Sequence, residues 1–460
     1  MFRKLFLLST VALLVMISIT SFAETKTVSA AVSEKLILKF NLPPIVLSAS
    51  PDGRRIAYAT RAEGSEFVVV DGKEQKHYDG IGSNIVFSPD SKHFAYRAQT
   101  GDKQVVVVDG QEGKSYDNVG STLVFSPDSQ RVAYAVRSGK SCFIVVDGKE
   151  GKHYDGGIGS NIVFSPDSKH LAYGVQSGGK QFVVVDEKEG KYYESIGDNI
   201  VFSPDGKRMV YLAKAEQKNF SVLDGKEGNR YDEISKNFFF SPDSQQMAYI
   251  ARSSDKWFVV LNEKEGKRYN GIGDRIIFSP DSSRVAYQAQ SDKRLLILDG
   301  QEGKGYERIG STILFSPDST RLAYVAQLNN KRFVTVIDGK EEKQYDNIGN
   351  GSIVFSPDSR RLAYAAQSGN KRFVVADGKE WKHYDGVGSQ TLVFSPDSKK
   401  LAYVALKENR QIAVINEKEI SEYDGIVALE KGGFVFDAPD TCRYLAMKDK
   451  SIFLVETKVE

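Results

Sequence analysis

The chain has 460 residues, 62 Lys plus Arg against 60 Asp plus Glu, 41% hydrophobic residues and two cysteines. A formal charge of +2 leaves no electrostatic footprint for nucleic acid or an anionic membrane. With only Cys142 and Cys442, far apart in the chain, a disulfide scaffold is excluded and stability has to come from packing.

In chain order, residues 1–23 read as a secretory signal. Arg3 and Lys4 form a positive start, Leu5 to Ile19 an apolar run, and Ser21-Phe22-Ala23 a small-x-small cleavage site. The expected product is periplasmic or secreted, begins near Glu24 and keeps no membrane span once the segment is cleaved; a membrane anchor is the competing reading, disfavoured because the apolar run falls short of the roughly 20 residues a span needs. Residues 24–34 read as a short linker. The segment Lys35-Leu36-Ile37-Leu38-Lys39-Phe40 is apolar and has no match in the repeated units of the chain.

From there a Ser-Pro-Asp-Ser phrase, or a close variant, recurs eleven times, with its proline at Pro51, Pro89, Pro127, Pro166, Pro204, Pro242, Pro280, Pro317, Pro357, Pro396 and Pro439. A spacing of 37 to 43 residues with several short apolar runs per unit is the mark of radially repeated β architecture. The fourth unit shows the plan: Asn161-Ile162-Val163-Phe164, the turn Ser165-Pro166-Asp167-Ser168, His170 to Val175, Phe182-Val183-Val184-Val185-Asp186, and Lys191-Tyr192-Tyr193-Glu194. Proline sets the second position of a type I turn and aspartate suits the third, so the first two strands form a hairpin. The third strand is apolar at consecutive positions, as in Phe67-Val68-Val69-Val70, which requires both faces to be buried. Asp71-Gly72-Lys73-Glu74 and its copies form a polar turn before a more polar fourth strand.

Ten of 22 tyrosines fall at one position of the second strand (Tyr58 to Tyr403) and ten at one position of the fourth (Tyr78 to Tyr423), leaving Tyr192 and Tyr444 over. They read as blade-packing elements with a solvent-facing hydroxyl. The last unit supplies three strands, and Lys35–Phe40 is the segment available to complete it. The expected fold is all-β: a propeller of about eleven four-stranded blades over 35–460, closed by pairing of the N-terminal strand with the last blade. Two tandem smaller rings are the rival, although no linker interrupts the repeats.

The pattern Val-Phe-Ser-Pro-Asp-Ser-x-x-Leu-Ala-Tyr followed by Phe-Val-Val-Val-Asp-Gly resembles the WD40-like propeller repeat of the TolB family, as at Phe125-Ser126-Pro127-Asp128 and Phe394-Ser395-Pro396-Asp397. The resemblance spans roughly residues 45 to 446 and implies an exported, protein-binding propeller. The separate amino-terminal domain of TolB has no counterpart here, so its envelope partners do not transfer.

Chemistry is sparse. No Gly-x-Ser-x-Gly elbow occurs, which removes the propeller-topped hydrolases. His77, His153 and His383 share one repeat position and His93 and His170 another, each filled by other residue types elsewhere, so they read as surface residues and not as metal ligands. The Asp-Gly-Lys-Glu turns lack the alternating oxygen ligands of a calcium loop. One localised binding candidate remains: the basic pairs Lys293-Arg294, Lys331-Arg332 and Lys371-Arg372 between second and third strands, suited to an acidic protein or an anionic glycan. The expected function is a non-enzymatic, exported protein-interaction scaffold without cofactors. A lectin-like propeller with repeated weak glycan sites is the alternative.

Overall fold

The computed structural model describes residues 31–39, 43–329, 332–427 and 433–459. Among these residues the regular structure is β-strand, arranged in eleven antiparallel sheets that form a β-propeller. In the second blade, strand a is Gly80–Phe87, b is Phe94–Thr100, c is Lys103–Val108 and d is Gln111–Glu112, hydrogen-bonded in that order. The a strands of successive blades lie against one another and line the central channel, while d strands form the outer rim. The Pro-Asp turns (a to b) and the Asp-Gly turns (c to d) therefore share one face, and the b-to-c loops occupy the other.

Consecutive apolar residues in strands b and c put side chains on both faces of each sheet, and those faces meet the neighbouring blades. The buried apolar residues fall into eleven clusters, and each cluster joins two successive blades. Between blades 1 and 2, Ala57, Val68, Val70 and Tyr78 pack on Ile85, Phe94, Tyr96 and Val107. The cluster between blades 5 and 6, where a tandem of five and six would break, is of the same kind, with Val210 and Tyr231 against Phe238, Tyr249 and Phe258. The eleventh cluster joins Leu445, Ile452 and Leu454 of the last blade to Ile56, Tyr58 and Phe67 of the first. The ring is single and closed.

The N-terminal strand Ala31–Lys39 pairs antiparallel with Ser451–Lys458 and supplies strand d of blade 11. The pairing starts at Ala31, inside the stretch read from sequence as a linker. Leu38 joins the cluster between blades 11 and 1, and Val32 packs on the one between blades 10 and 11. The signal segment 1–23 lies outside the described residues.

The tyrosines of the fourth-strand position stand edge-on to strand b tyrosines of the next blade, as in Tyr78–Tyr96 at 6.4 Å and Tyr345–Tyr364 at 6.3 Å between ring centroids. Tyr444, left over in the sequence pattern, meets Tyr423 in the same way at 6.0 Å. It escapes the sequence pattern because Pro439 lies five residues before it, whereas Pro396 lies seven before Tyr403. The hydroxyls are not solvent-facing: those of Tyr96, Tyr403 and Tyr444 are buried, and burial pushes the phenol of Tyr96 up to about 12.

Deleting residues 31–39 exposes the edge of Ser451–Lys458, and the expected outcome is a lowered melting temperature with self-association through that edge. Light scattering and calorimetry check this; an unchanged, monodisperse protein would contradict it. Tyr423→Phe, which removes the 2.7 Å bond to Glu34 in the closing strand, should cost about 1 kcal/mol in denaturant unfolding.

Candidate functional site

The repeated polar residues can be sorted by whether the ring already uses them. In the Pro-Asp turns, Ser88 Oγ donates to Asp90 Oδ1 at 2.6 Å and accepts from the His93 amide at 2.9 Å. Ser91, the fourth turn residue, sits in the left-handed region at φ 65°. A non-glycine residue there costs roughly 1–2 kcal/mol. Its hydroxyl offsets part of that by accepting the backbone N–H of Asp52 in the preceding blade at 3.1 Å. The same bond recurs from Asp90 to Ser129, Asp205 to Ser244 and Asp358 to Ser398. Where glycine takes the position, as at Gly206, the joint lacks this bond, and a Cβ would meet Asp167 Oδ1 at 2.5 Å.

The residue two positions after this turn completes the joint. Arg361 Nε donates to Asp377 at 2.8 Å while Nη1 reaches the carbonyls of Ser398 and Lys399 in the next blade. His93 and His170 stand at this position and hold Asp109 and Asp186, each at 2.6 Å. The other three histidines stack on core rings: His77 on Phe67 at 4.3 Å, His153 on Phe143 at 3.9 Å and His383 on Phe373 at 4.2 Å. They are half-exposed covers of the core rather than free surface residues.

On the rim, the glutamate of most Asp-Gly-Lys-Glu and Asp-Gly-Gln-Glu turns reaches back one blade, whereas Glu74 of the first blade bonds its own His77. Glu150 pairs with Lys114 at 2.6 Å and accepts from Tyr116 at 3.1 Å; Glu302 does the same for Lys267 and Tyr269 at 2.8 and 2.9 Å. On the opposite face, Asp117 accepts the amide of Gly139 in the next blade at 2.5 Å, and Asp346 that of Gly369 at 2.7 Å.

The basic pairs fall on that face but on three different blades, and the ring engages part of them. Arg332 is held by Asp346 at 3.1 Å and Lys371 by Asp385 at 2.7 Å. Arg294 and Arg372 bond through their backbones to Tyr306 and Tyr384, at 2.9 Å each. Lys293 is exposed, and Lys331 lies outside the described residues.

One repeated feature is drawn into the joints only in part, through Thr122 to the Ser160 carbonyl, Asn199 to the Lys236 carbonyl and Ser311 to Asn350. In blade 2, Ile81 pairs with Ala98 and Ile85 with Tyr96, so Gly82, Ser83 and Asn84 stand opposite the single residue Arg97. The surplus residues bow away from strand b, which is toward the channel axis. The same three-against-one bulge occurs at 120–122, 159–161, 197–199, 235–237, 273–275 and 310–312. Longer breaks replace it at 349–353 and 388–392. Together they make a polar collar around the channel, with Ser83 and Asn84, Ser160, Asp198, Lys236, and Asp274 with Arg275 exposed. Sequence reading missed it because Gly-Ser-Asn before an apolar run looks like the start of a strand. The recurrent glycine followed by Ser or Asp ahead of each Val-Phe-Ser-Pro-Asp was the available signal.

No protein-family model and no curated protein matches the chain. Among solved structures it is similar to the crystal structure of the eukaryotic initiation factor, at 14% identity and a TM-score of 0.41 over 81% of this chain and 96% of that one. It is also similar to Kuenenia stuttgartiensis hydrazine synthase (15%, 0.28, over 65% and 97%) and to the Cps50 (Swd1) β-propeller domain of Myceliophteria thermophila (14%, 0.28, over 61% and 97%). Likeness at this level says nothing about activity, so the site is read from its own geometry.

The turn aspartates give the joints a pH signature. Hydrogen bonds from Ser279 and Ser316, then from backbone amides, hold Asp281 and Asp318 at about 2, and the equivalent donors, Ser88 and then the Lys92 amide, keep Asp90 below the carboxylate range. A carboxyl whose folded value lies below its unfolded value near 3.9 contributes its full stability above about pH 4, and loses it as pH falls toward 2. Acid titration of the melting temperature should show its steepest loss between about pH 4 and 2. A transition centred near pH 6 would contradict this origin.

Proposed function

We propose that the chain is a non-enzymatic binding scaffold, exported to the periplasm or the cell exterior, that engages a protein partner through the collar of its channel. The observation that carries this reading is the division of the repeat's polar residues. Turn serines, rim lysines and glutamates, and the paired tyrosines are consumed in joints between blades; Thr122, Asn199 and Ser311 of the collar also bond to the next blade, but the side chains of Ser83, Asn84, Ser160, Asp198, Lys236, Asp274 and Arg275 are exposed and differ from blade to blade. Charge in the collar gathers on one arc, at Asp198, Lys236, Asp274 and Arg275 of blades 5 to 7, while elsewhere it is Ser, Asn, Thr and Gln.

The channel is wide enough for such a role. Sheets pack about 10 Å apart, so eleven blades make a ring about 35 Å across at mid-blade, and the a-strand backbones, about 7 Å further in, stand about 20 Å apart across the channel before their bulges and side chains are counted. What remains is on the order of the 10–12 Å diameter of a helix with its side chains, so an extended segment or a single helix is the size of partner element it suits. The basic pairs are a secondary contact for an acidic partner, carried chiefly by Lys293, Arg294 and Arg372 because Asp346 and Asp385 pair with Arg332 and Lys371. Export rests on residues 1–23 as sequence.

A glycan-binding role is the second reading, favoured by the near-equivalent hydroxyl and amide groups that successive blades present. Crosslinking and capture from a native envelope fraction separates the two. Asp198→Ser, Lys236→Ser, Asp274→Ser and Arg275→Thr together should abolish recovery of the protein partner, at least tenfold, with an unchanged melting temperature. Undiminished capture would contradict the protein reading. Loss of glycan-array binding on replacing Ser83, Ser121, Ser160 and Ser311 by Ala would favour the glycan.

A further inference from the structure

We propose that the channel wall between blades 2 and 3 holds an oxyanion-binding subsite centred on Arg97, which takes a carboxylate or sulfate group of a ligand. Such a subsite adds a ligand chemistry to the collar, and its test requires no partner.

Arg97 is the strand b residue opposite the first bulge. The residues at that position in blades 3 to 8 are Ala135, Gly174, Leu212, Ile250, Gln288 and Val325. Five of the six are apolar or glycine, so a cation is not required to join one blade to the next. Gln288 shows what the joint can use: its Nε2 donates to the Gly310 carbonyl of the following blade at 2.6 Å. Arg97 makes the corresponding bond, Nη1 to the Val119 carbonyl at 2.8 Å. That occupies one of its five donors and leaves the positive charge without a carboxylate partner among the described residues. The charge is surplus to the architecture.

The surroundings suit an anion. Arg97 lines a hollow of about 20 Å³ with Ser83, Asn84, Gly120 and Ser121. That is room for one or two oxygen atoms, while the remainder of the ligand stays in the open channel. Residues 82–84 stand off the paired register of the strand, and Ser83, Asn84 and Ser121 line the hollow beside the guanidinium. A planar guanidinium with several free N–H groups is the side chain best matched to carboxylate and sulfate oxygens. Gly82 keeps this side open: the bulge needs a glycine here in other blades too, as Gly197 and Gly273 show, and at Gly82 a Cβ would stand 3.0 Å from Arg97 Nε.

Equilibrium dialysis of the full chain against radiolabelled sulfate at low ionic strength tests the subsite. The expected result is about one sulfate per chain, with affinity falling as NaCl is raised and with displacement by acetate. Arg97→Gln keeps a donor for Val119, as the native Gln288 does for Gly310, and should retain the melting temperature while losing at least tenfold in sulfate affinity. Gly82→Ala should weaken binding severalfold. Sulfate taken without displacement by acetate would overturn the carboxylate half of the assignment. Arg97→Gln binding sulfate as well as the parent, or a parent that binds none at millimolar concentration, would overturn the whole. Neither result bears on whether the charged arc of blades 5 to 7 captures a protein.

Discussion

No blade in this protein owns a hydrophobic core. Each sheet is apolar on both faces, and each of the eleven buried clusters is assembled from two successive blades. Burying a Val, Leu, Ile or Phe side chain is worth about 1.5–3 kcal/mol, so an isolated blade would expose two faces of such residues and have only its own hydrogen bonds to set against the entropy of ordering it. The unit that folds is the contact between neighbours, and a linear array would leave two faces uncovered. Closure removes both, and it falls to the N-terminal strand, which places Leu38, Val32 and Glu34 where a further turn and strand would otherwise be needed.

The polar repeat residues obey the same constraint. Two sheets packed by apolar surface alone could slide, and the serine, arginine, glutamate and aspartate bonds between blades fix their register at both faces and at the rim. Individually such partly exposed bonds are weak, on the order of 1 kcal/mol or less. Repetition makes them specify one geometry. It also explains why the most frequent residues of the chain are poor candidates for recognition: they are engaged. Freedom to vary is left to the channel wall, where a surplus of two residues per strand pushes small polar groups toward the axis without disturbing the packed faces behind them.

Much of this was legible in the residues. Proline in Ser-Pro-Asp-Ser marks a turn, consecutive Val-Val-Val marks a strand buried on both sides, and the unmatched Lys35–Phe40 segment pointed to the way the ring closes. The eleven-blade count came from the prolines. The departures have local causes. Tyr444 fell out of register because it follows its proline by five residues instead of seven, and the tyrosine hydroxyls are covered because the rim glutamates arrive from the next blade, a contact that no single repeat contains. The collar was hidden because a bulge leaves the composition of a strand intact and changes only its pairing. Which of the basic side chains the ring engages was not legible, because chain spacing does not show that Asp346 and Asp385 lie beside Arg332 and Lys371.

The covered faces and the engaged polar residues both require all eleven blades to belong to one circle whose ends are joined. Electron microscopy of single particles viewed down the axis measures this most directly. A single ring of eleven evenly spaced blades around an open centre is the predicted result. Two smaller rings of five and six blades, or an arc with a gap between the first and last blades, would contradict it.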